Sequence, residues 1–377
     1  MTKSICIVSG ADLSVPSPGA EKPVIFAKEL QKNGFDVKLV VPKSSAKSLY
    51  DLSGIEVYTV PIKIGTTSGS YLINQIGRAI LLTRRAKKIK DKENVILQFE
   101  HATLGGFAAF MGLSGFVLDV RDISFDFPLY TKIHGISRIV YYLEGLATRR
   151  AIKSIVVSNP MKDFIIEKWG ISEEKIEVIP NGYFEKELEK CKGIEEVDGT
   201  ISFLGALIPK LDINKFIAIA ESLKNRDITI YMIGDGPARS PLEQKIREKG
   251  LKNVVFTGWL PPEEAYKLVA KTQITLLPLT RSLHNEVSCP VKIYAYASLG
   301  KAIVADNISE IVKIFKENDA ALVSDQSDQN KFVENVHTLL DDETLRKRIS
   351  TNAKKLVEDF TWEKQGERLA RMYEGLV

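Results

Sequence analysis

Cysteine is scarce in this chain of 377 residues, and long apolar segments are missing. The three cysteines, Cys6, Cys191 and Cys289, lie far apart and lack the close spacing of a zinc or redox site. We therefore expect reduced thiols in a cytoplasmic protein. The apolar run at 5–8 is too short for a secretory signal, and no run approaches the roughly 18 residues that cross a bilayer.

The chain also lacks a marked excess of charge of one sign. Its 52 Lys and Arg residues stand against 48 Asp and Glu residues, for a net charge of +4. This bias is too weak to favour a nucleic acid as the main partner. With 44% hydrophobic and 27% charged residues, the composition is that of a folded globular protein. Because single cores stop growing near about 250 to 300 residues, we expect two domains.

Strand-like and helix-like segments alternate through both halves of the sequence. In the first half, a strand at 4–10, a loop at 11–23, a helix at 24–34 and a strand at 36–42 form a βαβ pattern. Further strands are predicted at 55–61, 94–100, 115–121, 154–158 and 176–180. After a polar stretch at 185–199, strands are predicted at 200–205, 227–234, 253–258, 273–279 and 301–306, with helices at 212–224, 240–250, 262–270 and about 290–299. The pattern is typical of two consecutive α/β domains.

The loops after the strands are the places to look for a ligand, because parallel α/β sheets bind ligands outside the carboxyl ends of their strands. Gly205 follows a strand directly, with Lys210 shortly after it, and Gly234 lies in a loop between strand and helix that is not the dinucleotide pattern GxGxxG. A glycine such as Gly205 is more often a plain turn than a ligand contact, whereas the backbone N–H groups of the loop at 233–237 could face an anion.

The segment NEVSCPVKIYAYASLGK (285–301) predicts a helix start. Ser288 is a candidate N-cap, and Pro290 suits a first helical turn. Free N–H groups at such a terminus attract phosphate, and Lys292 in the first turn adds a positive charge. The alternative for Lys292 is a solvated helix lysine.

Four fragments in order and spacing carry a family resemblance. VIPNGYF (178–184), the segment at 228–279, PVKIYAYASLGKAIVAD (290–306) and FTWEKQGERLARMY (360–373) resemble the C-terminal signature of the family 4, or group 1, glycosyltransferases. The segments at 16–41 and 118–128 resemble the family more loosely. The resemblance implies the GT-B fold: two Rossmann-like, doubly wound domains facing a central cleft, with a C-terminal helix that crosses back to the N-terminal domain.

The resemblance also implies a division of labour between the domains. We predict an acceptor-binding domain at 1–184, a domain binding the nucleotide sugar at 185–358 and the returning helix at 359–377. The predicted donor-binding residues are Gly205, Lys210, Gly234, Trp259, Leu260, Ser288, Pro290, Val291, Lys292 and Ala295. Trp259 and Leu260 are placed beside the nucleobase, and Gly19 and Arg121 in a loop that meets the phosphates or the acceptor.

The sequence departs from the family pattern at one informative place. The family usually carries two Glu residues, eight positions apart, where this chain has Val287 and Ala295, and Glu286 is one place off. Losing a charged hydrogen bond to a ribose hydroxyl weakens binding by about 1.5 to 3 kcal/mol. An alternative hypothesis is therefore a catalytically inactive, glycosyltransferase-like binding protein. A nucleotide-sugar epimerase is a weaker one.

The main hypothesis is an enzyme that moves a sugar from a nucleotide diphosphate sugar to a saccharide or lipid-linked acceptor in polysaccharide or glycan biosynthesis. Retention of anomeric configuration is implied by the resemblance alone. DVRD (119–122) lacks an Asp-x-Asp triplet, so no metal and no cofactor is predicted. The predicted catalytic residues are Asp122, His101 and Lys210. Asp119 is a further candidate for activating the acceptor, and the favoured alternative for it is a structural carboxylate paired with Arg121 or a loop N–H.

Two segments raise the question of a membrane surface. The stretch at 78–92 holds seven basic residues on a predicted amphipathic helix, and the stretch at 139–151 is rich in aromatic residues. The first is compatible with an anionic membrane surface or with a solvated helix, and the second with such a surface or with core packing. Cytoplasmic localisation, with peripheral contact to the inner face of the membrane as an open alternative, is therefore the prediction.

Overall fold

The computed structural model describes residues 4–15, 17–44, 46–61, 68–126, 135–191 and 193–376. Its internal contacts divide the chain into two units, one formed by Met1–Pro180 with Trp362–Val377 and the other by Asn181–Thr361. Each unit is an α/β domain around one parallel sheet, and the predicted fold class is confirmed. The first unit thus includes the end of the chain.

Every pair of neighbouring strands in both sheets is parallel. The first sheet contains β1 (Ser4–Val8), β2 (Asp36–Pro42), β3 (Glu56–Val60), β4 (Val95–Glu100), β5 (Phe116–Val120), β6 (Ala151–Val156) and β7 (Ile176–Val178) in the order β3-β2-β1-β4-β5-β6-β7. The second contains β8 (Thr200–Leu204), β9 (Thr229–Ile233), β10 (Val254–Gly258), β11 (Ile274–Leu277), β12 (Ala302–Asp306) and β13 (Leu322–Ser324) in the order β10-β9-β8-β11-β12-β13. The strand order reverses beside β1 and beside β8, the switch points where such sheets bind ligands.

The helices connect these strands. Those described in residues 1–180 are α1 (Pro18–Lys32), α2 (Ser68–Lys90), α3 (Ala102–Phe110), α4 (Ile136–Arg150) and α5 (Asn159–Trp169), with a 3-10 turn at Glu173–Lys175. In the second unit they are α6 (Glu185–Glu189), α7 (Ile213–Ser222), α8 (Arg239–Glu248), α9 (Pro262–Ala270), α10 (Leu283–Val287), α11 (Lys292–Ser298), α12 (Glu310–Glu317), α13 (Gln329–Asp341) and α14 (Glu343–Val357), with a 3-10 turn at Glu358–Phe360. The last helix, α15 (Trp362–Glu374), packs against α1 in the first unit, so the predicted return of the C-terminal helix is confirmed.

The first helix begins at Pro18, within the predicted loop at 11–23. Ser17 has an extended backbone, and its hydroxyl accepts a hydrogen bond from Ala20 N at 3.2 Å, as an N-cap does. Pro23, the last residue of that predicted loop, lies inside α1. Because proline has no N–H, Pro23 leaves the carbonyl of Gly19 without its usual helical donor.

No helix in the described ranges is both long enough and apolar enough to span a bilayer.

Candidate functional site

Backbone hydrogen bonds join the loops that follow β8 and β9, and glycines allow the two loops to come close enough to form them. Gly205 N donates to Ile233 O at 2.9 Å, and Leu207 N donates to Asp235 O at 2.9 Å. Gly234 has φ +137°, and a Cβ on it would overlap the carbonyl group of Gly205. The absent side chain therefore lets the two loops approach until their backbones bond. Two of the predicted donor residues, Gly205 and Gly234, are brought into contact here.

Lys292 covers this pair of loops. A Cβ on Gly205 would lie 2.9 Å from Lys292 Nζ, and Nζ also lies 4.2 Å from the ring centre of Phe203. No carboxylate of the described residues forms an ion pair with Lys292. Burial is the main cause that lowers the pKa of Lys292 to about 7, and the positive charge of Lys210 contributes to the same shift. The site therefore holds a lysine that has no carboxylate partner among the described residues and whose protonation would be favoured by an anion.

Lys210 is fixed by the segment that follows β11. Its Nζ contacts Nε2 of the buried His284 on α10. Its carbonyl accepts hydrogen bonds from Thr280 N at 2.9 Å and from Asn285 Nδ2 at 3.3 Å. The backbone position of Lys210 at the carboxyl edge of the second sheet is therefore well determined.

The predicted helix start at Ser288 is wrong. Ser288 ends α10, a short helix that Ser282 begins by accepting a hydrogen bond from Asn285 N at 3.2 Å. The hydroxyl of Ser288 donates to Asn285 O at 3.0 Å instead of capping the next helix. Pro290 precedes α11, which starts at Lys292 after Val291. The lysine, rather than the serine and proline, occupies the start of this helix.

The other residues of the donor prediction follow β10 or lie on α11. Trp259 follows β10 with 64% of its surface exposed, and Leu260 beside it is half-buried. Ala295 and Val287 are buried, whereas Glu286 forms an ion pair with Arg281 at 3.3 Å. The carboxylate nearest in sequence to the family's usual glutamate therefore pairs on the protein's own surface.

A second group of polar side chains lies at the carboxyl ends of β4 and β5 in the first unit. Asp119 accepts from Lys22 Nζ at 3.1 Å and from Arg121 Nε at 2.9 Å. Arg121 also pairs with Glu100 and donates from Nη1 to Gly19 O at 3.1 Å. Arg121 thus supplies the donor that Pro23 cannot give to Gly19. The guanidinium is thus held by Asp119, Glu100 and the carbonyl of Gly19, and the ligand contact predicted for it stays a prediction.

His101 follows β4 in a strained backbone conformation. Its φ of +85° is unusual for a residue with a side chain, and strain of this kind clusters at functional sites. His101 N donates to Asp119 O at 2.9 Å, and Nδ1 lies 3.4 Å from Ser124 Oγ. Ser124 N donates in turn to the buried Glu144 at 3.0 Å, and burial raises the pKa of Glu144. His101 is therefore bonded to the backbone of Asp119 and is connected through Ser124 to the buried carboxylate of Glu144.

Several site residues were missed from the sequence. Asp122, which was predicted, is half-buried beside Arg121. The charged residues that were missed are Lys22, Glu100 and Glu144 in the first unit and His284, which contacts Lys210, in the second unit. Glu100 had a visible signal, a carboxylate at the end of the predicted strand VILQFE. No sequence pattern marks the other three, since their partners come from distant segments. Among the described side chains, no three His, Cys, Asp or Glu residues are grouped as a metal site.

Two family models match consecutive parts of this chain. The model described as Glycosyltransferase Family 4 matches residues 24–184, and the model described as Glycosyl transferases group 1 matches residues 184–356. Together they cover the chain from the first helix to the end of α14. The two matches meet at residue 184.

Individual proteins of known name match this chain at low sequence identity and over only part of its length. The chain is 26% identical over 163 residues to 2-deoxystreptamine glucosyltransferase of Streptomyces kanamyceticus, an alignment that covers 40% of this chain and 41% of the relative. It is 25% identical over 189 residues to the putative teichuronic acid biosynthesis glycosyltransferase TuaH of Bacillus subtilis, covering 48% of this chain and 46% of the relative. The matched stretches thus span less than half the length of these relatives.

Solved structures share the whole fold at low identity. Sucrose-phosphate synthase of Thermosynechococcus elongatus superposes with a TM-score of 0.78 at 13% identity, and 99% of each chain is covered. WaaG, a glycosyltransferase involved in lipopolysaccharide biosynthesis, gives 0.73 at 13% identity, with the same coverage. HepE of Anabaena, in complex with UDP-glucose, gives 0.73 at 16% identity and 99% coverage of each chain. These likenesses establish the fold.

Proposed function

The chain belongs to the group 1 glycosyltransferases, and on that premise we propose that it transfers a sugar from a nucleotide diphosphate sugar to a saccharide or lipid-linked acceptor in glycan assembly. The observation that carries the proposal is the ammonium group of Lys292, which lies over Gly205 without a carboxylate partner among the described residues. An unbalanced cation at the switch point of a parallel sheet suits a diphosphate.

The second unit is assigned the donor. As the bond between sugar and diphosphate breaks, negative charge grows on the leaving diphosphate, and nearby cations stabilise it. Lys292 and Lys210 supply two positive charges for this purpose, so the proposal needs neither a metal nor a cofactor. Exposed Trp259 offers a flat surface for the nucleobase. The UDP-glucose complex of HepE makes UDP-glucose the first nucleotide sugar to test.

The first unit is assigned the acceptor. His101 and Asp122 are the candidates for taking the proton from the acceptor hydroxyl, because His101 follows β4 at the switch point and Asp122 follows the neighbouring strand β5. The proposal includes retention of the anomeric configuration of the transferred sugar, and the family resemblance is its sole support. The names of the relatives support acceptors of two kinds, an aminocyclitol and a cell-wall polysaccharide.

The test is binding and slow hydrolysis of a panel of nucleotide sugars by the purified chain. We expect one member, with UDP-glucose first, to raise the thermal midpoint and to release free nucleoside diphosphate in the presence of EDTA. Lys292→Met should abolish both responses and leave the midpoint of the free protein within about 2 °C. No response to any nucleotide sugar would contradict the proposal, and an epimeric product would support the epimerase hypothesis instead.

We also propose that the layer formed by α2, α3 and α4 contacts an anionic membrane. These helices lie side by side, with α3 packed against both of the others. Together they contain nine Lys and Arg residues and a single acidic residue, Glu144, which is buried. Exposed apolar side chains belong to the same layer: Ile76, Leu81, Phe110, Ile139 and Tyr142. Positive charge with exposed apolar groups is typical of membrane-surface binding.

Liposome flotation tests this contact. We expect the chain to float with vesicles containing phosphatidylglycerol and to stay behind with vesicles of phosphatidylcholine alone. Ile139→Glu should reduce flotation, whereas Val255→Glu, at an exposed apolar residue of the second unit, should leave it unchanged. Equal flotation with both kinds of vesicle, or none with either, would overturn the proposal.

A further inference from the structure

A row of hydrogen-bonded side chains leads from the last helix of the chain to the start of the first. The hydroxyl of Tyr373 on α15 donates to Gln98 Oε1 at 2.5 Å, and Gln98 Nε2 donates to Glu100 Oε1 at 2.5 Å. Glu100 Oε2 pairs with Arg121, and Arg121 Nη1 donates to Gly19 O at 3.1 Å. We call Tyr373, Gln98, Glu100 and Arg121 the relay.

Burial makes each member of the relay depend on the next. Tyr373 and Gln98 have no exposed surface, and Glu100 is 3% exposed. The amide of Gln98 has one orientation that serves both neighbours, with Nε2 towards the carboxylate and Oε1 towards the hydroxyl of Tyr373. A buried polar group without a partner is unfavourable, so the hydroxyl fixes the amide and the amide fixes the carboxylate.

The hydroxyl is not needed to hold α15 in place. The ring of Trp362 contacts the ring of Phe26 with centres 6.2 Å apart, and the ring of Tyr373 lies 6.0 Å from that of Phe35. Leu369 is also fully buried. These apolar contacts remain when the hydroxyl is removed, so its hydrogen bond serves another purpose.

We propose that Tyr373 is a positioning residue that acts through the relay. It holds Glu100 and Arg121 in place, and Arg121 holds the Gly19 end of α1, where Pro23 removes the ordinary helical hydrogen bond. The kinetic consequence rests on the proposed function, because it assigns the first unit to the acceptor. The structural consequence does not, since it concerns only the start of α1.

Hydrogen exchange tests the structural consequence. Tyr373→Phe keeps the ring and removes the hydroxyl, and we expect amides at 17–24 to exchange at least fivefold faster while those of β2 keep their rates. Tyr141→Phe is the matched control, because it removes a hydroxyl of the same unit that donates to Lys168 O at 3.2 Å, outside the relay. Unchanged rates at 17–24, or faster exchange throughout the first unit, would overturn the inference.

Kinetics tests the consequence for the reaction. We expect Tyr373→Phe to lower kcat/KM for the acceptor about tenfold with an unchanged KM for the donor. Gln98→Met should have the same effect, and the double variant should be no worse than either single one, because both interrupt one path. Additive losses, or equal losses for donor and acceptor, would overturn it. If the wild-type chain transfers no sugar, the proposed function fails, and hydrogen exchange still decides the positioning role.

Discussion

Lys292 Nζ lies over the α-carbon of Gly205, 2.9 Å from the position that a Cβ would take. Two residues separated by almost ninety positions thereby form one surface, with the lysine at the start of α11 and the glycine directly after β8. Gly205 has φ +130°, a conformation that favours glycine. The glycine is required both for its backbone conformation and for the space that the ammonium group occupies.

Gly205→Ala should therefore weaken nucleotide-sugar binding at least tenfold, about 1.4 kcal/mol, because the new methyl group displaces Lys292. Isothermal titration with the nucleotide sugar that binds the wild type measures this. Gly250→Ala is the control, since Gly250 also has positive φ, at +63°, but nothing lies within 4 Å of the position of its Cβ. Equal losses in the two variants would mean that backbone strain, rather than the displaced lysine, is responsible.

The depressed pKa of Lys292 predicts that donor affinity depends on pH. Burial and the charge of Lys210 lower this pKa to about 7 in the free protein, and a bound diphosphate favours the protonated amine and raises it again. Below about pH 7 the lysine is charged before and after binding, so affinity is constant. Above that value binding takes up a proton, and affinity falls as pH rises.

Titration with UDP-glucose in two buffers of different ionisation enthalpy at pH 8 should show this proton uptake. UDP-glucose is suitable because its diphosphate does not change charge between about pH 6 and 9. Lys292→Arg should remove the pH dependence, since a guanidinium stays protonated throughout. A wild-type affinity that is flat across this range would show that Lys292 does not contact the diphosphate.

Most strands could be predicted from the sequence because the buried strands of a parallel sheet are short apolar runs between turn residues. The limits of α9 at 262–270 were also predicted, from Pro262 at the start and a regular apolar period. The start of α1 could not be, since Pro23 reads as a helix breaker. Its effect is offset by Arg121, which is 98 positions away and reaches Gly19 only in the folded chain.

Sequence reasoning located only those candidate site residues that carry a local signal, because contacts between distant segments leave no pattern in the sequence. Gly205 and Lys292 stand out as a glycine after a strand and a lysine near a helix start, and both lie where expected. The break between α10 and α11 was missed because it depends on distant contacts, such as the hydrogen bond from Asn181 Nδ2 to Cys289 O at 2.9 Å. Glu100 meets the segment of Asp119 only through the register of β4 with β5, which the sequence does not specify.

Breaking a buried ion pair between α7 and the end of β12 should lower the free energy of unfolding of the second unit. Lys215 pairs with Asp306, and both side chains are almost wholly buried. Asp306 Oδ2 also accepts from Leu279 N at 2.9 Å. Lys215→Met would leave this carboxylate without its cation, and we expect a loss of about 3 to 5 kcal/mol. The thermal midpoint of the full chain measures it.

An exposed pair provides the comparison. Lys249 pairs with Glu221 at 2.6 Å, with both side chains more than 40% exposed. Lys249→Met should change stability by less than about 1 kcal/mol. A similar shift of the midpoint in both lysine variants would show that the buried pair has no special importance.

His101 should be unfavourable for stability and favourable for activity. With φ +85° at a residue that carries a side chain, the backbone stores about 1 to 3 kcal/mol of strain. His101→Gly relieves the strain, and after the greater chain entropy of glycine is subtracted, a gain of about 1 kcal/mol should remain. The same change removes the imidazole, and loss of a general base typically lowers the rate about a hundredfold or more. His101→Ala removes the imidazole too but keeps the strain.

We therefore expect both variants to lose sugar transfer and only the glycine variant to melt at a higher temperature. If His101→Gly kept its transfer rate, the base would have to be sought elsewhere, with Asp122 as the next candidate; if it melted lower than the wild type, the contact of Nδ1 with Ser124 would outweigh the strain.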